Sequence, residues 1–406
     1  MPAGYFLSTI ISREALRVKI ETVIYLDYAA ATPMDDRVLA AMLPYFQDKY
    51  FNPSAAYLLA RSVSNDFESA RHRLAQVIGA RPGEIILTAG ATESINLALN
   101  GVEGRIVTTQ IEHQSVLAVA NSKQATILPV GRDGRLDLEA VSRAIDDDVS
   151  LLSVGYVNSE IGVIQDISAL AQLVNQIRQD RLGRGVTMPL YLHSDASQGA
   201  GLLDINVARL GVDMLTLNAA KCYGPKQVGL LYVRAGIKLK PLIQGGGQEM
   251  GLRSGTENVA GVIGFALALE LADKLRHHES KRLRALNQQL KAYLSANLKD
   301  VSFNSISKVS SPAILNFSVD GIDGERVLFA LDERGVMVAT GSACAANQGR
   351  RSHVLIAIGL TNQQADGSIR VSIGRFTTEE EIATAGQLIV DAINQQRKFG
   401  GMKVVA

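Results

Sequence analysis

The sequence is short of cysteine, of charge imbalance and of long apolar runs, and each shortage excludes a class of protein. Only Cys222 and Cys344 occur in 406 residues, too few for a disulfide framework or for a zinc or cluster site built on cysteine alone. A reducing cytoplasm suits such a chain, and no metal is expected in it. Lys and Arg (41) nearly cancel Asp and Glu (40), so no strong field points to direct nucleic-acid binding or to an anionic membrane. The most extended apolar stretch, residues 259–269, falls short of the ~18 residues a bilayer demands and reads as a buried helix segment. No internal repeat or low-complexity segment is visible. A small polar substrate fits this balance better than a polyanion does.

What is present is the composition of an ordinary globular protein, 47% hydrophobic and 20% charged. The length implies two cores, or one large core with a satellite. Residues 1–22 read as a cytosolic extension: their basic residues follow the apolar Tyr5, Phe6 and Leu7 instead of preceding them, and no small-residue cleavage site follows. From about Glu84 to Arg234, short β-branched runs (84–88, 105–109, 151–155, 190–193 and 213–217) alternate with amphipathic stretches such as 167–178. That alternation predicts βαβ units, hence a mainly parallel sheet flanked by helices in an α/β large domain over 23–258. A long helix from Val259 to about Leu298 opens a smaller α+β C-terminal domain over 259–406, with strands expected at 313–319, 336–338 and 369–373. Ligands of such sheets gather at the carboxyl ends of the strands.

Polar residues concentrate there. Gly90-Ala91-Thr92-Glu93-Ser94 follows a strand and opens a helix, so its backbone N–H groups and the Thr92 hydroxyl form an anion site, or simply a capped helix start. Asp195 and Gln198 end one strand; Asn218 and Lys221 end a later one. A pyridoxal cofactor needs a lysine amine for its aldehyde and a carboxylate opposite its ring nitrogen, and this pairing offers both. Taken singly, each is as readily a solvated lysine or a helix-capping aspartate.

The run Tyr25-Leu26-Asp27-Tyr28-Ala29-Ala30 is followed in order by the 90–94 turn, Glu112-His113, the segment 157–166, Asp195 to Gln198, Lys221 with Tyr223 to Lys226, Arg253 to Thr256, Gly341 to Cys344 and Ser368 to Arg370. From Tyr25 to Thr378 this series resembles the cysteine desulfurase family, within the class V, fold-type I pyridoxal-phosphate enzymes. The resemblance implies pyridoxal 5′-phosphate bonded to Lys221, which also handles the substrate Cα proton. It implies that Asp195 holds the ring nitrogen, that His113 stacks on the ring, and that Asn158 and Gln198 bond the ring oxygen or its surroundings. Ala91, Thr92 and Asn218 are expected at the phosphate, with Thr256 reaching the phosphate of a second subunit in a homodimer. Arg370, with Asn158 beside it, is expected to bind the carboxylate of L-cysteine. Cys344 takes the sulfur as a persulfide and carries it to an acceptor protein, in the manner of the housekeeping branch that serves iron–sulfur cluster assembly and tRNA thiolation. Glycine and polar neighbours around Cys344, with Arg350 and Arg351 behind it, suit a reactive thiolate.

Two departures stand out. The family places histidine before the lysine and serine two residues ahead of that histidine; here Ala220 and Asn218 occupy those positions. The segment 52–57 also lacks the family's histidine. Two other readings therefore stay open: another class V lyase or aminotransferase, such as a selenocysteine lyase, or a degenerate homologue serving as a scaffold. Cys222 reads as packing.

Overall fold

The structure is a computed structural model that describes residues 23–306, 309–341 and 351–400. The extension 1–22 and Cys344 lie outside the described residues. The chain opens with a two-residue strand, β1 (Ile24–Tyr25), and then contributes seven strands to one sheet: β2 (Ile85–Thr88), β3 (Arg105–Thr109), β4 (Thr126–Leu128), β5 (Val149–Ser153), β6 (Tyr191–Asp195), β7 (Met214–Asn218) and β8 (Gly229–Val233). Their order across the sheet is β2-β8-β7-β6-β5-β3-β4. All neighbours are parallel except β8, which runs antiparallel to both β2 and β7. The mainly parallel α/β sheet expected from the alternation is present. Because β8 alone is reversed, β2, β3, β5, β6 and β7 all finish at one edge.

Strands buried on both faces need continuous apolar runs. β8, β5 and β2 are buried at every position. Buried residues on one side of the sheet include Leu152, Leu192, Leu215 and Leu230, and on the other Ile106, Leu151, Met214 and Leu231. Among the polar residues buried in these strands is His193 on β6, which is fully buried. Its Nδ1 meets Ser153 Oγ at 2.9 Å and its Nε2 meets Thr216 Oγ1 at 3.0 Å. Burial drives its pKa down to about 4, so a neutral imidazole stitches β5, β6 and β7 together just beneath Asp195.

The helix Val259–Asn297 spans both halves of the molecule. Its first part, through Ala272, packs into the large sheet's core, and Leu283, Leu286, Leu290 and Leu294 pack into a second core. That second core is built on the antiparallel strands β9 (Val301–Phe303), β10 (Ile314–Val319) and β12 (Ser368–Ser372), with β11 (Val336–Met337) pairing in parallel with β1. Leu26 is fully buried in this second core. The N-terminal signature segment thus packs beside strands from the far end of the chain.

Candidate active site

One cavity of about 300 Å³ lies along the common strand edge, lined among others by Thr92, His113, Asn158, Asp195, Lys221 and Arg370. Ala91, Gln198 and Asn218 line it as well. They come from the ends of β2, β3, β5, β6 and β7 and from β12, so the fold gathers residues from Ala91 to Arg370.

The anion end is made by the helix Ala91–Gly101. Its N-cap, Gly90, holds φ 138°, a conformation that side-chain-bearing residues rarely adopt. A Cβ on Gly229 of β8 would come within 2.7 Å of the Gly90 backbone, so both positions require glycine. No side chain caps this helix start, which leaves N–H groups facing the cavity beside the Thr92 hydroxyl. Asn218 lies nearby. Its Oδ1 accepts from Ala220 N at 3.1 Å, and its amide nitrogen has no partner among the described residues. Ala220 supplies no side-chain donor.

At the centre, Lys221 Nζ donates to the carbonyls of Ala29 (2.7 Å) and Ala30 (2.6 Å). Ser197 donates twice to Asp195 Oδ1, from N at 3.0 Å and from Oγ at 2.6 Å. That arrangement leaves Oδ2 for the cavity. His113 caps the helix Gln114–Ser122, and its Nδ1 accepts from Ser115 N at 3.1 Å. A neutral ring therefore carries its proton on Nε2. The surrounding walls desolvate this ring and pull its pKa below the usual value. Asn158 spends much of its amide on the backbone: Nδ2 donates to Ile111 O, while Oδ1 accepts from Glu160 N and Ile161 N. One N–H remains. Gln198 Nε2 donates to Ala29 O at 2.9 Å, leaving its carbonyl oxygen.

Arg370 on β12 is 1% exposed. Its Nη2 pairs with Asp27 Oδ1 and its Nη1 donates to Ser159 O at 3.2 Å. Its Nε is buried and has no partner among the described residues. A planar donor held this way suits a carboxylate.

Several contributors went unread in the sequence. Glu112 is buried, accepts from Gly155 N and Thr109 Oγ1, and has its carboxyl pushed up to about 7 by desolvation, with Asp195 adding to the rise. The short helix His353–Ala357 leaves the small core and packs Val354 and Leu355 against Ile111, Ile161 and Val163. His353 Nε2 donates to Glu112 O at 3.0 Å, and Ser352 Oγ donates to the buried Glu160 carboxylate. Only the neighbouring motifs 112–113 and 157–166 could have drawn attention to these residues.

One expectation changes. Arg351, expected to favour a thiolate at Cys344, is committed to Asp366 in a two-bond surface pair of 2.6 and 2.9 Å. Thr256, expected at the phosphate of a second subunit, is exposed and lines a separate pocket of its own subunit with Arg253 and Gln227. Cys222 is buried, with its thiol pushed up to about 12 by desolvation, so packing is its role.

The Aminotransferase class-V family description matches residues 24–384. "Cysteine desulfurase IscS" of Dictyoglomus turgidum is 40% identical over 371 residues, covering 88% of this chain and 91% of that protein. "Cysteine desulfurase" of Rattus norvegicus is 39% identical over 391 residues, covering 93% of this chain and 84% of that one. Among solved structures, a NifS-like protein aligns with a TM-score of 0.83 at 32% identity over 92% of this chain and 100% of its own. "SspA in complex with cysteine" aligns with a TM-score of 0.74 at 33% identity, covering 87% and 99%. With a lysine, a carboxylate and an uncapped helix start converging on one cavity, and with relatives of this likeness over nearly the full length, the chain belongs to the class V aminotransferase family, in its cysteine desulfurase branch.

Proposed function

We propose that this protein is a pyridoxal 5′-phosphate-dependent cysteine desulfurase. It converts L-cysteine to L-alanine and holds the sulfur on Cys344 for an acceptor protein of iron–sulfur cluster assembly or tRNA thiolation. The observation that carries this reading is the cavity itself: Lys221, Asp195 Oδ2 and the open N-terminus of the helix Ala91–Gly101 share it with the unpartnered Nε of Arg370. These groups fit the cofactor's chemistry. The helix N–H groups, Thr92 and the Asn218 amide would take its phosphate, Asp195 would keep its ring nitrogen protonated, and His113 would cover the ring face. When bound, pyridoxal phosphate withdraws electrons from the substrate Cα.

The chain's own residues then have defined tasks. Arg370 Nε takes the α-carboxylate and fixes which Cα bond faces Lys221. Lys221 Nζ leaves the Ala29 and Ala30 carbonyls, receives the Cα proton and returns one to the product. The Cys344 thiolate attacks the substrate sulfur; the Cβ–S bond breaks with its electron pair going to carbon, and an S–S bond forms at Cys344. Exposed apolar side chains at Leu39, Leu43, Phe46, Tyr50 and Leu58 and the solvent-facing Thr256 support a homodimer in which Thr256 reaches the neighbouring phosphate. The paucity of cysteine supports a cytoplasmic location. No helix among the described residues is long and apolar enough to cross a membrane.

Labelled cysteine tests the reading. Wild type should release alanine and carry label on Cys344. Cys344→Ala should keep the yellow cofactor but make no alanine, and Lys221→Ala should lose the cofactor's absorbance. Turnover by Cys344→Ala would remove the persulfide route, and a wild type that stays colourless with pyridoxal phosphate would support a scaffold instead.

A further inference from the structure

The charges around the cavity do not balance in the direction an anion site suggests. Among the described residues, two cations line it, Lys221 and Arg370, against the carboxylates Glu160 and Asp195 and the buried carboxyl of Glu112. Lys221 is held by two carbonyls. Arg370 already has a carboxylate of its own, because Asp27, which is not among the lining residues, pairs with Nη2 from outside the cavity. Asp27 is fixed there by its backbone. Leu26 N donates to Met337 O and Ser372 N donates to Leu26 O, at 2.9 and 2.8 Å, so the segment is clamped between β11 and the strand that carries Arg370. Tyr25 Oη donates to Asp27 O at 2.8 Å. What Arg370 still offers the cavity is its buried Nε–H, which has no partner among the described residues, and the second hydrogens of Nη1 and Nη2.

We propose that Asp27 sets substrate specificity: as the standing counter-ion behind Arg370, it lets the guanidinium accept one α-carboxylate but denies the cavity the surplus positive charge that an amino acid with an acidic side chain would require. This rests on the reading of the cavity as an amino-acid site. The reasoning is electrostatic. A second carboxylate entering this site meets the carboxylates of Glu160 and Asp195 and, among the described residues, no cation that is not already committed. Desolvating a charge without compensation is among the costliest events in a protein interior. Removing the Asp27 charge while keeping its shape leaves Arg370 with a full positive charge a few ångströms from the substrate, enough to tighten a dianionic ligand by about tenfold or more.

Calorimetric titration of the full-length, cofactor-loaded protein with L-asparagine and L-aspartate provides the test, since the two ligands differ little but for one charge. Wild type should bind asparagine at least about tenfold more tightly than aspartate. In Asp27→Asn, aspartate should tighten about tenfold relative to asparagine, and Asp27→Glu should restore the wild-type ratio. Equal binding of the two ligands by wild type overturns the proposal without any variant, as does an unchanged ratio in a folded Asp27→Asn protein. If both ligands bind wild type and Arg370→Ala abolishes their binding, the amino-acid reading stands even where the Asp27 inference fails. If neither ligand binds wild type while labelled cysteine is still turned over, the Asp27 inference falls and the amino-acid reading stands.

Discussion

The cavity has two walls made in different ways. The cofactor wall consists of strand ends from one continuous sheet: Gly90 after β2, His113 after β3, Asn158 after β5, Asp195 closing β6 and Lys221 after β7. Each residue there is positioned by its own strand and the turn that follows it. The substrate wall is assembled from segments far apart in the chain. Arg370 meets Asp27 across 343 residues and Ser352 meets Glu160 across 192. The first wall depends on local geometry repeated along a sheet, whereas the second depends on a few buried polar contacts between the two cores. Losses on the second wall should therefore spread to stability, while losses on the first should stay within the site.

Arg370→Ala tests the substrate wall most severely. Removing one partner of a buried ion pair leaves Asp27 without its counter-ion, which costs about 3 kcal/mol. The same change removes the carboxylate ligand. Urea denaturation should show a lowered midpoint, and KM for cysteine should rise by about tenfold to a hundredfold. A rise in KM with unaltered stability would mean that the Asp27 pair does not hold the two regions together.

The contrast between the walls also governs what the sequence discloses. The strand expected at 105–109 coincides with β3, and those at 84–88 and 213–217 differ from β2 and β7 by a residue. β-branched runs followed by polar turns announce such ends, so Asp195, Asn218 and Lys221 could be placed at the sheet edge before any contact was known. β8 was not anticipated: Gly229 to Val233 is a short apolar run without alternation, which periodicity cannot distinguish from buried helix. The partners of Arg370 were equally hidden. Nothing near residue 370 signals Asp27, because a pairing across the whole chain leaves no local pattern. The commitment of Arg351 to Asp366 escaped for a related reason, since proximity in sequence to Cys344 says nothing about which carboxylate is nearer in space.

Glu112 sits beneath the cofactor wall and gives a test by pH. Burial raises its carboxyl from the ordinary 4.5 to about 7, so the folded state binds that proton more tightly than the unfolded chain does. The stabilisation is complete below about 4.5 and is lost as pH rises through 7, a loss of order 3 kcal/mol. Glu112→Gln keeps an acceptor for Gly155 N and cannot ionise, so its stability advantage over wild type should grow across that window. His193 acts in the opposite sense. Its pKa is depressed from 6.5 to about 4, so its contribution is present above 6.5 and lost as pH falls through 4. Comparing the two proteins at each pH cancels that background. Parallel stability curves would show Glu112 to be ionised at neutral pH.

The smallest effect separates cap from ligand at Asn218. Its Oδ1 holds Ala220 N and fixes the turn that delivers Lys221, whereas its amide nitrogen has no partner among the described residues and the residue lines the cavity. Asn218→Ala removes both groups without adding a charge. If the amide replaces the phosphate contacts that Ala220 does not offer, this variant should bind pyridoxal phosphate at least about fivefold more weakly, the worth of one hydrogen bond. Asn218→Ser restores a donor of a different reach and should recover part of the loss. Equal cofactor affinity in Asn218→Ala would mean that the helix N-terminus and Thr92 hold the phosphate without help from β7. The cofactor wall would then depend on backbone donors alone at that end, sharpening its difference from a substrate wall made of charged side chains.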